Sequence, residues 1–158
     1  MDAAVGIERY QPLLEELGRR INHPGLEVDE FGRCVLNVGA DFQLTLYYDE
    51  PTQAVTVFCG LAQLAARDIA AWAPHLLRAN LFWSETSEAT LSLDPESGVV
   101  VLARRLPENG LDYTVFEEAL LRFMAAAKTW HERLHQPAPT PPPTPAAMPA
   151  RGEWRPQN

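Results

Sequence analysis

The chain has little cysteine, few basic side chains and no long apolar run, and each shortage excludes a class of protein. Only two of its 158 residues are cysteine, Cys34 and Cys59. Both lie in predicted strands, so core packing is favoured over a disulfide or a catalytic nucleophile. Acidic side chains outnumber basic ones by 21 to 13, and the net charge is -8. Because an acidic surface repels phosphate backbones, we expect no nucleic-acid partner.

Segments that enter or cross a membrane are also missing from the sequence. No apolar stretch approaches the roughly 18 residues that a membrane-spanning helix needs. The chain opens with MDAAVGIERYQP, which has no basic region followed by an apolar run and so does not match a secretory signal. These features predict a cytoplasmic protein without membrane insertion.

Signatures of catalysis are scarce. The nine glycines are scattered and form no phosphate loop, and no G-x-S-x-G is present. One motif does match: residues His131–His135 read H-E-R-L-H, the H-E-x-x-H spacing that places two imidazoles on one helix face of zinc proteases. The motif directly precedes a proline-rich tail, and no His or Cys follows it. A solvated helix end is therefore favoured, with a zinc hydrolase as an alternative, and we expect no enzyme, no metal and no cofactor.

Apolar periodicity predicts an α+β fold in the order helix, three-stranded antiparallel meander, helix, two strands, helix. The predicted strands are Arg33–Val38, Phe42–Tyr48, Ala54–Gly60, Ala89–Leu93 and Val99–Arg105. The predicted helices are Ile7 to Ile21, a segment within Ala66–Trp83, and Tyr113 to about Leu134.

Two prolines fall inside these helices, where proline removes a hydrogen bond and clashes with the previous turn. Pro12 either begins the regular first helix or kinks it, and Pro74 is expected to divide the second helix into two pieces. Asp112 is the expected N-cap of the third helix. The expected buried stripe of that helix is Val115, Leu120, Phe123, Met124, Ala127, Trp130 and Leu134.

Residues 1–136 are predicted to form one domain, and residues 137–158 a disordered tail. The tail holds eight of the 14 prolines, which favour extended and solvated backbone. An alternative interpretation is a docking peptide for a proline-reading groove, with Trp154 as an anchor.

The domain carries more apolar residues than two layers can cover. The end of the second helix, LLRANLFW at residues 76–83, is apolar on several faces. The face of the sheet away from the helices is predicted to carry Val35, Tyr47, Phe58, Val100 and Leu102. Large exposed apolar patches usually mark interfaces, so these residues favour a binding protein over an enzyme.

Four segments, in this order, resemble the class I type III secretion chaperones, the Tir chaperone or CesT-like family. They are LLEELGRRINHPGLEVDEFGRCVLNVG, LLRANLFW, ATLSLDPESGVVVLARRLP and FEEALLRFMAAAKTWHERL. The resemblance covers about residues 7–135. It implies a cytoplasmic homodimer that binds the N-terminal segment of a secreted effector and delivers it to the secretion apparatus without a cofactor. The alternative is an adaptor of the same fold that recruits a partner through the proline-rich tail.

The resemblance also implies where the partners bind. The second helix and the strand after it would form the dimer interface, at Trp72, Leu76, Leu77, Asn80, Leu81, Phe82 and Trp83. The first helix and the early strands would bind the effector, at Leu13, Leu14, Leu17, Val35, Leu36, Tyr47 and Phe58. The prolines inside the helices and the tail depart from the family pattern.

Overall fold

The computed structural model describes residues 3–23, 25–40 and 42–140. Its helices are α1 (Ala3–Arg20), α2 (Ala66–Asn80) and α3 (Tyr113–Leu134). Its strands are β1 (Arg33–Val38), β2 (Phe42–Asp49), β3 (Ala54–Gln63), β4 (Thr90–Leu93) and β5 (Val99–Pro107). The predicted α+β order is confirmed. Within the described ranges, no helix is both long and apolar enough to cross a bilayer.

The five strands form one antiparallel sheet in the order β1-β2-β3-β5-β4. One row of paired residues crosses every strand: Val35, Thr45, Phe58, Ala103 and Thr90. Since paired residues in a sheet point to the same side, this row defines one face of the sheet from edge to edge.

The opposite face of the sheet carries the core. The helices α1 and α3 pack across it, and α2 packs beside β4. Leu46 and Val57 are fully buried there, and so are Val100 and Leu102. The prediction that Val100 and Leu102 lie on the helix-free face was wrong, because β5 pairs Ala103 with Phe58 and so places the even-numbered residues inward.

Both prolines lie within continuous helices. The helix α1 begins at Ala3, well before Pro12, and α2 runs through Pro74 to Asn80. The predicted division of α2 at Pro74 was therefore wrong. Both proline rings are on exposed helix surfaces, where solvent can bond the carbonyl that each proline leaves without a helical donor.

The helix α3 starts where predicted, but its buried face differs slightly from the predicted one. Asp112 caps the helix, accepting a hydrogen bond from the Val115 amide at 2.9 Å. Phe116, not Val115, begins the buried stripe, and Val115 is 47 % exposed. Met124 is half-buried at its margin. The buried stripe is Phe116, Ala119, Leu120, Phe123, Ala126, Ala127, Trp130 and Leu134.

The two cysteines are free and buried in the core, as predicted. Burial raises the pKa of the Cys59 thiol to about 12 and also raises that of Cys34. Neither thiol is therefore a reactive thiolate near neutral pH.

Candidate partner-binding sites

The end of α2 leaves four large apolar side chains in solvent. Leu77, Leu81, Phe82 and Trp83 are 71, 58, 85 and 52 % exposed, respectively. Leu77 and Leu81 are four residues apart and so share one side of the helix end, while Phe82 and Trp83 continue from it in a short 3-10 turn. These four residues are called the helix-end patch below. Exposed apolar side chains grouped in this way mark an interaction surface.

The backbone beneath the helix-end patch is strained. Phe82 and Trp83 both have φ of 52°, in the left-handed region that bulky side chains rarely adopt. Ser87 and Glu88 also have positive φ, at 52° and 67°. Such residues cost of the order of 1–3 kcal/mol each and persist only where neighbouring structure holds them, often at functional sites.

Four hydrogen bonds hold this segment. The Asn80 amide bonds both backbone groups of Leu91 in β4, at 2.8 and 2.9 Å. The Trp130 indole of α3 donates to the Glu85 carbonyl at 3.0 Å, and Arg133 donates to the Glu85 carboxylate at 2.6 Å. Residues 81–88 are therefore fastened to β4 at one end and to α3 in the middle.

Three of the residues predicted for the dimer interface have internal roles instead. Trp72 and Leu76 are buried in the core of the protomer. Asn80 uses its side chain to hold β4. A side chain committed to the core or to a strand has little surface left for a second copy. Leu77, Leu81, Phe82 and Trp83, by contrast, are the predicted interface residues that the structure leaves exposed.

The helix-free face of the sheet carries a second apolar group. Val35 is 52 % exposed, and Tyr47 meets Phe58 edge-to-face with ring centroids 6.1 Å apart. The register places Val35 and Phe58 in the same row of the sheet, with Tyr47 in the next row. This surface, called the open sheet face below, is flanked by β1, an edge strand whose outer side has no strand partner in the described residues. An extended peptide can pair with such an edge.

The other predicted effector-binding residues lie elsewhere. Leu14 is fully buried, and Leu13 and Leu17 are buried beside it on the core side of α1. Leu36 is half-buried and packs against the core, because it alternates with Val35 along β1. Burial leaves Leu14 and Leu17 little surface for a partner, Leu36 keeps part of its surface, and Leu13 lines a surface cleft.

That cleft, which sequence reasoning missed, lies between α1, the end of β2 and the turn after β5. Its volume is about 560 Å³, and this space is called the α1 cleft below. Its wall combines aromatic, apolar and charged side chains, among them Arg9, Tyr10, Leu13, Tyr48, Val55 and Glu108. The cleft forms because α1 approaches the turn after β5 in space, so no local sequence pattern predicts it.

Glu108 is the centre of a hydrogen-bonded group in the α1 cleft. The Tyr48 hydroxyl and the Arg9 guanidinium both donate to its carboxylate. The Tyr48 hydrogen bond is the main cause that lowers the pKa of Glu108, and the same bond raises the pKa of Tyr48 to about 12. Glu108 is therefore an ionised acceptor at neutral pH.

The H-E-x-x-H motif has a structural use at the end of α3. His131 is half-buried against Phe42, and its Nδ1 donates to the Leu61 carbonyl in β3 at 2.8 Å. His135 Nδ1 donates to the His131 carbonyl at 2.7 Å. Among the residues that the structure describes, no three potential ligands lie together in a way that could hold a metal. The motif is thus less solvated than predicted, and it fastens α3 to the sheet.

Comparison with known proteins agrees with this architecture. Residues 12–131 match the Tir chaperone protein (CesT) family model. A chain of the HopA1–SchA chaperone–effector complex has a TM-score of 0.68 at 22 % identity, covering 80 % of this chain and 95 % of that one. A chain of the ExsC–ExsE complex has a TM-score of 0.70 at 21 % identity, covering 84 % and 96 %.

A third similar structure is the ExoT–SpcS complex from Pseudomonas aeruginosa, with a TM-score of 0.57 at 26 % identity, covering 77 % of this chain and 96 % of that one. At the level of sequence, no curated protein matches the chain. The structural matches share the fold, and the family model spans most of the described domain. The chain therefore belongs to the Tir chaperone protein (CesT) family.

Proposed function

We propose that this protein is a cytoplasmic type III secretion chaperone that binds the N-terminal region of a secreted effector. It keeps that region soluble and delivers it to the secretion apparatus. The observation that carries the proposal is the family match over residues 12–131. The similar fold in the HopA1–SchA chaperone–effector complex supports it. Binding and presentation require no bond to be made or broken, so the proposed function is not enzymatic.

The helix-end patch is the proposed contact with a second copy of the chain. A two-fold axis brings the same surface of each protomer together, so two copies would contribute eight large apolar side chains. Full burial of such a side chain gives about 1.5–3 kcal/mol. Even when the surface of these side chains that each protomer already buries is subtracted, the summed burial free energy is comparable to an association cost of the order of 4–15 kcal/mol. The fastening of residues 81–88 suits this role, since a rigid surface loses little entropy on assembly.

The open sheet face is the proposed contact with the effector. Val35, Tyr47 and Phe58 form a flat apolar surface, which suits the side chains of an extended segment. The edge strand β1 lies beside it and offers backbone hydrogen bonds. Because ordering a segment on binding costs several kcal/mol, the contact must be extensive, and a surface that crosses β1, β2 and β3 contributes to it.

Co-expression tests the proposal directly. The chain is co-expressed with tagged N-terminal fragments of the proteins secreted by the same organism's type III system, and with the same proteins lacking those regions. We expect one or a few N-terminal fragments to co-purify, each with two copies of this chain, and the truncated proteins not to do so. Retention by the truncated proteins alone, or by none of the fragments, would contradict the proposal.

A further inference from the structure

We propose that the α1 cleft is a subsite for an arginine side chain of the bound effector segment. This inference rests on the proposed function, because the segment is the source of the arginine. The subsite is distinct from the apolar contacts of the open sheet face. It would favour effector segments that carry an arginine at the matching position.

The α1 cleft offers hydrogen-bond acceptors that are not fully used. A carboxylate has about four acceptor positions. The Tyr48 hydroxyl occupies one on Glu108 Oε2 and Arg9 occupies one on Oε1, so acceptor capacity is left. Tyr48 holds the carboxylate in place on the wall of the cleft. A charged acceptor that is already oriented binds a cationic donor at little further entropic cost.

A second acceptor comes from the backbone of α1. Pro12 has no N–H, so the carbonyl of Glu8 lacks the donor that a helix normally supplies four residues on. Glu8 and Pro12 both line the α1 cleft. We infer that this carbonyl, on the helix turn that lines the cleft, is the second acceptor, and the helix remains continuous around it.

The remaining walls suit the stem and the plane of arginine. Tyr10, Leu13 and Val55 are buried at the cleft, and the half-buried Tyr48, whose ring stacks with Tyr10 at a centroid distance of 6.5 Å and an interplanar angle of 28°, is the aromatic surface that a side chain in the cleft can reach. The hydroxyl of Tyr10 is buried without a hydrogen-bond partner among the described residues. A guanidinium is planar, stacks on aromatic rings and carries five donors in a fixed fork, so it can meet separate acceptors at once, which an ammonium group does less well.

The protein's own arginine shows that the site accepts a guanidinium. Arg9 bonds Glu108 although its side chain is 68 % exposed. Such an exposed ion pair is weak and exchangeable, so an incoming arginine can replace it or bind beside it. Glu8, Glu108 and Asp112 outnumber Arg9 along the cleft, which gives a net negative charge that complements a cationic side chain.

The test uses N-acetyl-arginine amide as the probe, titrated into the full-length protein and followed by the amide NMR signals of Tyr48, Val55 and Glu108. N-acetyl-citrulline amide, which has nearly the same shape without the charge, is the matched probe. We expect arginine to shift these signals saturably and citrulline to bind at least about tenfold more weakly, since charged hydrogen bonds are about twice as strong as neutral ones. N-acetyl-norleucine amide tests for a purely apolar subsite.

Two variants connect the binding to named atoms. Glu108→Gln should weaken the arginine probe about tenfold, because it removes the charge on the central acceptor. Pro12→Ala restores an N–H to the Glu8 carbonyl, so it should weaken the probe while raising the thermal midpoint. Glu118→Gln is the matched control, because Glu118 lies on the exposed side of α3 and pairs with Arg122. It should leave probe binding unchanged.

Equal binding of arginine, citrulline and norleucine probes, or unchanged affinity in both Glu108→Gln and Pro12→Ala, would overturn the inference. The two proposals fail separately. If an effector fragment binds wild type and Glu108→Gln equally, the arginine subsite is wrong and the chaperone function stands. If no effector fragment binds the wild type at all, the proposed function itself fails.

Discussion

Asn80 bonds both backbone groups of a single residue, Leu91. Its Nδ2 donates to the Leu91 carbonyl at 2.9 Å, and the Leu91 amide donates to its Oδ1 at 2.8 Å. The side chain thus takes the place of a strand partner for the outer side of β4. Because Asn80 is the last residue of α2, the same two bonds fix the point from which the helix-end patch projects.

Replacement of Asn80 by Ala should destabilise the domain by about 2–6 kcal/mol, because two part-buried backbone groups lose their partners at about 1–3 kcal/mol each. Urea denaturation measures the change. Asn37→Ala is the control, since Asn37 is exposed and its side chain accepts a hydrogen bond from Gln43 on the surface. It should cost less than about 0.5 kcal/mol. Equal effects of the two substitutions would show that Asn80 does not hold β4.

The helix-end patch should determine the oligomeric state. Leu81→Asp and Phe82→Asp each place a charge in the proposed contact, where burying an unpaired charge is costly. Each should convert the homodimer into a folded monomer, as measured by multi-angle light scattering and circular dichroism. Leu121→Asp, on an equally exposed apolar residue of α3, should leave the dimer intact. A dimer that persists in both patch variants would remove the helix-end patch from the interface.

Substitutions on the open sheet face should separate effector binding from dimerisation. Phe58→Ala and Tyr47→Ala each remove half of the aromatic pair of the open sheet face. Each should weaken an effector fragment by about 1–3 kcal/mol, as is common for central interface residues, and leave the dimer unchanged. Val115→Ala, on exposed α3, is the control. Calorimetric titration gives the affinities, and unaltered values in both aromatic variants would place the effector elsewhere.

The Tyr48–Glu108 hydrogen bond predicts how stability depends on pH. The lowered pKa of Glu108 means that its contribution is present above the usual carboxyl pKa of 4.5 and lost as pH falls through the lowered value. The pKa of Tyr48 is raised to about 12, so its contribution is present below pH 10 and lost as pH rises from about 10 to 12. Tyr48→Phe should abolish the dependence at high pH and reduce the one at low pH, since Arg9 still lowers the pKa of Glu108.

NMR titration of the Glu108 carboxyl provides the measurement. In Tyr48→Phe we expect the pKa of Glu108 to move up towards 4.5, because the largest cause of its depression is gone. Tyr47→Phe is a matched control on the neighbouring residue. A pKa of Glu108 that stays equally low in Tyr48→Phe would assign the depression to Arg9 instead.

The order of elements could be predicted because each pattern is local. Asp112 and the apolar spacing after it suffice to locate α3. The face of β5 could not be predicted in this way, because residues 99–103 read VVVLA and are apolar on both sides. The pairing of Phe58 with Ala103 determines which side chains of β5 face the core, and that pairing depends on a strand far away in the sequence.

The candidate sites, too, could be predicted only where their signal is local in the sequence. The excess of apolar residues at the end of α2 is visible in the sequence, but α2 is apolar on several faces, so only packing separates buried Leu76 from exposed Leu77. The continuity of α1 through Pro12 likewise depends on tertiary contacts that offset the lost hydrogen bond. The α1 cleft joins residues about 100 positions apart, such as Arg9 and Glu108, and has no local signal.

The most direct test of the chaperone function is quantitative mass spectrometry of the proteins that the native type III system secretes, with and without this gene. We expect one or a few effectors to disappear from the secreted fraction while the others are unchanged, and re-expression of the gene to restore them. Secretion of every effector at normal levels in the absence of the gene would contradict the account.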